Sequence, residues 1–169
     1  LDDLTQVRDR DGAQLSAWTV RNAGQIQAPQ LAFLFGVSLA LNGTGTIPVA
    51  QLVSFTSGEL SIRGADQAFD HLEDVSSSKV SVHGVHVQAA GVTNLSSATV
   101  ELSGGGTIDL AAASQINGSN LLVFDGVTLS LPAATLYEHD ATVNGQTHTL
   151  RASGQGDAAD TMELGLRHT

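Results

Sequence analysis

Asp66, Asp70, His71, Glu73 and Asp74 fall within nine consecutive residues, with Arg63 just before them and Lys79, His83 and His86 just after. Gathered carboxylates are what a hard cation takes as oxygen ligands, and general acid–base chemistry draws on the same groups. Asp70, Glu73 and Asp74 are therefore the candidate ligands for Ca²⁺. Asp70, Asp74, Arg63 and His83 are the candidate catalytic set for cleaving an acidic polysaccharide, with Arg63 or Lys79 placed to meet a uronate. The plainer reading is an acidic loop that covers one side of the molecule and keeps it soluble. No spaced Asp-rich calcium loop is present to favour the cation.

His83 and His86 flank Gly84. On one continuous strand they point to opposite faces, so a shared metal needs a turn at Gly84; two outward-facing histidines are the simpler account. Glu138-His139-Asp140, beside Tyr137, is a similar mixed cluster for which a solvated loop is again simpler. Gly104-Gly105-Gly106 lacks the Lys-Ser/Thr of a phosphate loop and reads as a corner. No Gly-x-Ser-x-Gly elbow marks a nucleophile. Asn42, Asn94 and Asn117 sit in N-x-Ser/Thr sequons, which matter only on a glycosylating secretory route.

The elements that must position these residues follow from a repeat. Trp18-Thr19-Val20, Leu39-Ala40-Leu41, Leu60-Ser61-Ile62, Val80-Ser81-Val82, Val100-Glu101-Leu102 and Leu121-Leu122-Val123 begin 21, 21, 20, 20 and 21 residues apart. A turn former follows each triplet or lies one residue beyond it. Leu150-Arg151-Ala152-Ser153-Gly154 reads as a seventh copy after a longer gap. A second alternating run follows the turn, clearest at Val85-His86-Val87, Gly106-Thr107-Ile108 and Val127-Thr128-Leu129. A third element pairs a polar residue with an aliphatic one: Gln30-Leu31, Gln51-Leu52, His71-Leu72, Asn94-Leu95, Gln115-Ile116 and Thr135-Leu136. Stacked one coil apart, those polar residues would form a hydrogen-bonded ladder.

Alternation of period two, broken by Gly, Asn and Ser, predicts short strands. Three strands per unit of about 21 residues fit one coil of a parallel β-helix, in which each strand pairs with its counterpart one coil on. The fold predicted is all-β: a single-stranded, right-handed parallel β-helix of seven or eight coils forming one domain over 1–169. Leu39, Leu41, Ile47, Leu60, Ile62, Val80, Val82, Val87, Ile108 and Leu129 point inside. Residues 66–75 and 137–148 break the pattern and read as irregular insertions, the places where a scaffold carries its function.

Composition narrows the partners. Seventeen acidic against seven basic residues give a net charge of −10, which argues against a basic patch for nucleic acid or anionic lipid. No apolar run approaches the roughly 20 residues of a membrane span, and without cysteine neither a disulfide nor a Cys-based metal framework can form. A chain that does not open on Met, and shows no amphipathic capping helix, reads as a segment of a longer protein.

Units such as Val92-Thr93-Asn94-Leu95-Ser96-Ser97-Ala98-Thr99-Val100 running into Ser103-Gly104-Gly105-Gly106-Thr107-Ile108 resemble the tandem coils of large secreted or surface bacterial proteins, adhesin-like or passenger-like stalks. The resemblance covers most of residues 12–164. It implies a secreted or cell-surface location and a non-enzymatic structural or adhesive role, with glycans or neighbouring β-helical segments as partners. The alternative is a carbohydrate-active β-helix, a lyase or hydrolase, with its site near residues 63–86. Enzymes of that architecture need a groove lined by aromatics. The one Trp, one Tyr and five Phe stand mostly at core-like positions, so stacking platforms are expected to be scarce. A third possibility, an ice-binding face, needs a Thr column that the outward Thr residues do not form.

Overall fold

The alternating triplets form the longest strands: β2 (Ser16–Val20), β4 (Val37–Leu41), β6 (Glu59–Arg63), β8 (Lys79–His83), β10 (Thr99–Ser103) and β12 (Asn120–Val123). In the computed structural model, which describes residues 1–10, 14–143 and 146–153, they stack in chain order into one six-stranded parallel sheet. Register is kept from rung to rung. Trp18, Leu39, Leu60, Val80, Val100 and Leu121 form one column, and Val20, Leu41, Ile62, Val82, Leu102 and Val123 another. These columns face inward, and Leu39, Leu60, Ile62, Val82 and Leu102 are completely buried. Each such side chain stabilises by about 1.5–3 kcal/mol through removal from water.

A second parallel sheet joins β1 (Gln6–Arg8), β3 (Phe33–Phe35) and β5 (Ser54–Thr56), and single bridges extend it through Ser54, Asp74, Asn94 and Gln115. A third joins β7 (Gln67–Ala68), β9 (His86–Gln88) and β11 (Thr107–Asp109). The result is a three-sided parallel β-solenoid. Its six long rungs bound five complete turns, fewer than the seven or eight coils expected.

Three kinds of corner close each turn. At the first, a left-handed residue recurs: Gly36, Ser57, Ser77, Ser97 and Gly118, with φ from 54° to 69°. At the second, Asn22, Gly43, Gly64, Gly84 and Gly104 do the same. The third is a tight turn in which a backbone N–H reaches the carbonyl three residues earlier, from Leu31 to Ala28, Leu52 to Val49, Leu72 to Phe69, Val92 to Ala89, Ala113 to Leu110 and Ala134 to Leu131. The flanking pair is mostly buried, while the two central residues are mostly turned outward. Pro29 and Pro132 take the first central place, where a fixed φ suits a turn. The interior is closely filled: a gap bordered by Leu60, Phe69, Val80 and Val100 measures about 10 Å³, the smallest space that could hold one water.

The 66–75 stretch, expected to be an insertion, is a coil wall in register with the next turn. Gln67 pairs with Val87, Ala68 with Gln88 and Asp74 with Asn94. Phe69, Leu72 and Val75 are its buried residues. Its charged side chains merely occupy the outward and turn-tip places. The expected polar ladder also dissolves. His71 is a turn-tip residue like Gln51, whereas Asn94 stacks with Asp74 and Gln115 on a different wall. The Asp74 and Asn94 side chains bond locally instead, accepting from the N–H of Ser76 (2.9 Å) and Ser96 (3.0 Å).

The seventh copy at Leu150 is not a coil. β13 (Leu136–Val143) and β14 (Gln146–Ser153) pair antiparallel, with Leu150 opposite His139. The other 137–148 expectation, an irregular insertion, is thus mostly strand, with residues 144–145 outside the described set; Gly154 is outside it too. The foot of this hairpin sits on the last coil: Tyr137 Oη donates to the Ser119 carbonyl (3.0 Å), and Glu138 N–H to Asn117 Oδ1 (2.9 Å). Among the described residues no helix is long and apolar enough to cross a membrane.

Candidate functional site

The coil geometry assigns each candidate residue to a wall. Arg63 and His83 meet: they are register partners at the C-terminal ends of β6 and β8. Arg63 donates to Ser61 Oγ on its own strand (3.3 Å), and His83 Nδ1 lies 3.1 Å from Ser103 Oγ on the next. Asp66 stands past the following corner, where its Oδ1 accepts the His86 N–H at 2.7 Å. Asp70 and His71 are the two exposed tip residues of the tight turn closed by Phe69 and Leu72. Asp74 lies on the remaining wall, and Glu73 points to solvent beside it.

Arg63 and His83 therefore share one wall, while Asp70 and Asp74 belong to a turn and to another wall. Asp70, Glu73 and Asp74 follow one another around a bend without converging. Among the described residues no three His, Cys, Asp or Glu side chains gather closely enough to hold an ion. Lys79, the other candidate for a uronate, pairs with Glu101 Oε2 at 3.3 Å. His86 Nδ1 contacts Thr107 Oγ1 at 2.9 Å on the opposite side from its Asp66 bond. Glu138, His139 and Asp140 are consecutive on β13, so neighbours point to opposite faces. The three sequon asparagines have a shared structural use. Asn42, Asn94 and Asn117 each accept a backbone N–H, from Thr44, Ser96 and Glu138.

A feature not expected from composition lies on β3. Phe33 and Phe35 face outward, 45% and 39% exposed, with Leu34 between them fully buried. They are flanked in register by Gln6 and Arg8 on β1 and by Ser54 and Thr56 on β5. Residues two apart on a strand stand about 6.6 Å from each other, so the rings form a short aromatic shelf on an otherwise polar wall. Arg8 Nε donates to Gln6 Oε1 at 3.3 Å, which lays the guanidinium along β1 beside the shelf. The signal was present in Phe33-Leu34-Phe35 itself. A three-residue strand can bury only its middle residue or its two outer ones, and the inward column of Val7, Leu34 and Phe55 selects the middle.

Apolar exposure also occurs at the C-terminal end, where Leu122, Val123 and Phe124 are partly uncovered on the last rung. At the opposite end a cleft of about 420 Å³ is bordered by Asp2, Gln25, Ile26, Pro29 and Ile47. Asp2, its one charged residue, lies 4.0 Å from the chain's own N-terminal ammonium. Compared with protein-family models, curated proteins and solved structures, the chain matches none.

Proposed function

We propose that this chain is a non-catalytic β-solenoid scaffold, a structural and adhesive segment of a secreted bacterial surface protein that contacts glycans along its lateral walls. The observation that carries the reading is the outward Phe33 and Phe35 pair, flanked in register by Gln6 and Arg8 on one side and by Ser54 and Thr56 on the other. Exposed rings set among short hydrogen-bonding side chains suit sugars, which offer apolar C–H faces and many hydroxyls. The residues of the competing enzymatic reading, Arg63, Asp70, Asp74 and His83, are spread over different walls and a turn, which supports binding over cleavage. Secretion and bacterial origin rest on the resemblance of the coils to adhesin-like stalks.

The test is a panel of immobilised neutral and acidic polysaccharides, with reducing ends and unsaturated products assayed in parallel, with and without Ca²⁺. Retention on at least one polysaccharide without product release is expected. Turnover of any member would overturn the scaffold reading in favour of a lyase or hydrolase.

A further inference from the structure

We propose that Phe33, Phe35 and Arg8 form a binding site for an acidic glycan, a chain of pyranose rings carrying carboxylates. The inference rests on the glycan-contact reading above and assigns it a place and a ligand class. The two rings project from one strand, so their spacing is set by the backbone, and Leu34 anchors that strand in the core. The electron-rich ring face attracts the C–H side of a pyranose, and two rings offer contact to successive stretches of a chain.

Arg8 beside the rings selects an acidic ligand. A protein of net charge −10 repels anions over most of its surface, so one is held only where a cation is placed for it. Arg8 is the register partner of Phe35, one rung away, at about 4.8 Å between strands. Its planar guanidinium can take a carboxylate in two parallel hydrogen bonds. Gln6, Ser54 and Thr56 border the rings with groups suited to hydroxyls. On the bridged continuation of this wall the first carboxylates are Glu73 and Asp74, two rungs beyond β3 and on the side away from Arg8. Asp9, next in the chain to Arg8, accepts Ser16 Oγ at 2.7 Å around the corner. The binding wall is thus cationic at its β1 edge, aromatic at β3 and neutral at β5.

The probes are a galacturonate oligomer and its fully methyl-esterified form, titrated calorimetrically into the wild-type chain, the Phe33→Ala/Phe35→Ala double variant and Arg8→Gln. All three altered side chains are solvent-exposed, and unchanged thermal melting checks that each variant folds. The double variant should lose about tenfold or more in affinity for both probes. Arg8→Gln should lose about fivefold for the galacturonate alone, and raising the salt should erase that difference. Amide shifts on titration should centre on residues 6–8, 33–35 and 54–56. Wild-type binding that survives the double variant overturns this site and leaves the glycan reading standing. Binding of neither probe, with polysaccharides retained elsewhere, overturns the acidic-ligand assignment; retention of none overturns both. A wild-type dimer in sedimentation that the double variant abolishes would make the shelf a contact between copies and overturn the site.

Discussion

Ser78 shows how one hydroxyl joins two coils. It is 3% exposed, accepts the Gly58 N–H at 3.1 Å and donates to the Phe55 carbonyl at 3.0 Å. Ser78→Ala strands a donor on the previous coil, and a buried unpaired group costs about 1–3 kcal/mol. Ser119 is equally buried, but its hydroxyl bonds the Ile116 carbonyl, which also receives the Ser119 N–H at 3.1 Å. Ser119→Ala is therefore expected to cost less than about 1 kcal/mol. Urea denaturation of the two variants separates them, and equal losses would contradict the account. The carboxylates of 66–75 give a second prediction at this scale. Asp70 tips an exposed turn, whereas Asp74 caps the Ser76 N–H. Asp70→Ala should leave the melting temperature unchanged, and Asp74→Ala should cost about 1 kcal/mol, as loss of a comparable local cap does. Both outcomes should be the same in Ca²⁺ and in EDTA; a Ca²⁺-dependent rise in wild-type melting that Asp70→Ala abolishes would restore the cation site.

Corners, more than strands, show what the element scale adds to a repeat read from sequence. Gly64 and Gly105 have the same φ of +79°. A Cβ at Gly64 would overlap the Asn42 carbonyl of the coil beneath, while one at Gly105 meets nothing within 4 Å. Gly105→Ala is expected to cost only the left-handed strain, about 1–2 kcal/mol. Gly64→Ala adds a backbone clash and should reach about 2–4 kcal/mol. Thermal melts of both variants measure the difference, and an equal loss would place the corners further apart than described. The glycine corners were legible because Gly recurs at the coil spacing. Ser57, Ser77 and Ser97 were not, since a serine held at positive φ carries no sequence mark. Element boundaries failed where local chemistry hid the period. In 66–75, Phe69, Leu72 and Val75 are spaced by three, the step of a tight turn, and the surrounding charges obscured them. His71-Leu72 copies the polar-aliphatic look of Asn94-Leu95 but lies three residues out of step with it. Leu150 to Gly154 mimics a coil triplet, although Asn144-Gly145 between two alternating runs is itself a hairpin signal.

Over the whole molecule, fold and function were unequally legible. The inward columns could be read ahead of the structure because each recurs in six copies, and one interior serves them all. Any site is built once and has no repeat to reveal it. Grouping Arg63, Asp70, Asp74 and His83 by nearness in sequence ignored that a coil of about 20 residues turns through three walls. Judging the aromatics by type alone made exposed rings look scarce, whereas the alternation of Phe33 and Phe35 about Leu34 turns both outward. Register is thus what decides which residues share a wall, and the 66–75 stretch is where the register differs most from a reading by composition.

Cross-linking tests it most directly, because the native chain has no cysteine to interfere. Ala68 and Gln88 are register partners on β7 and β9, and Gln88 pairs in turn with Asp109 on β11. Adjacent parallel rungs place Cα atoms about 4.8 Å apart, within disulfide reach, and two rungs about 9.6 Å apart, beyond it. Under mild oxidation Ala68→Cys/Gln88→Cys should close an intramolecular disulfide in the folded protein, and Ala68→Cys/Asp109→Cys should remain reduced. A reduced first pair, or an oxidised second, would contradict the in-register coil and the assignment of every wall that follows from it.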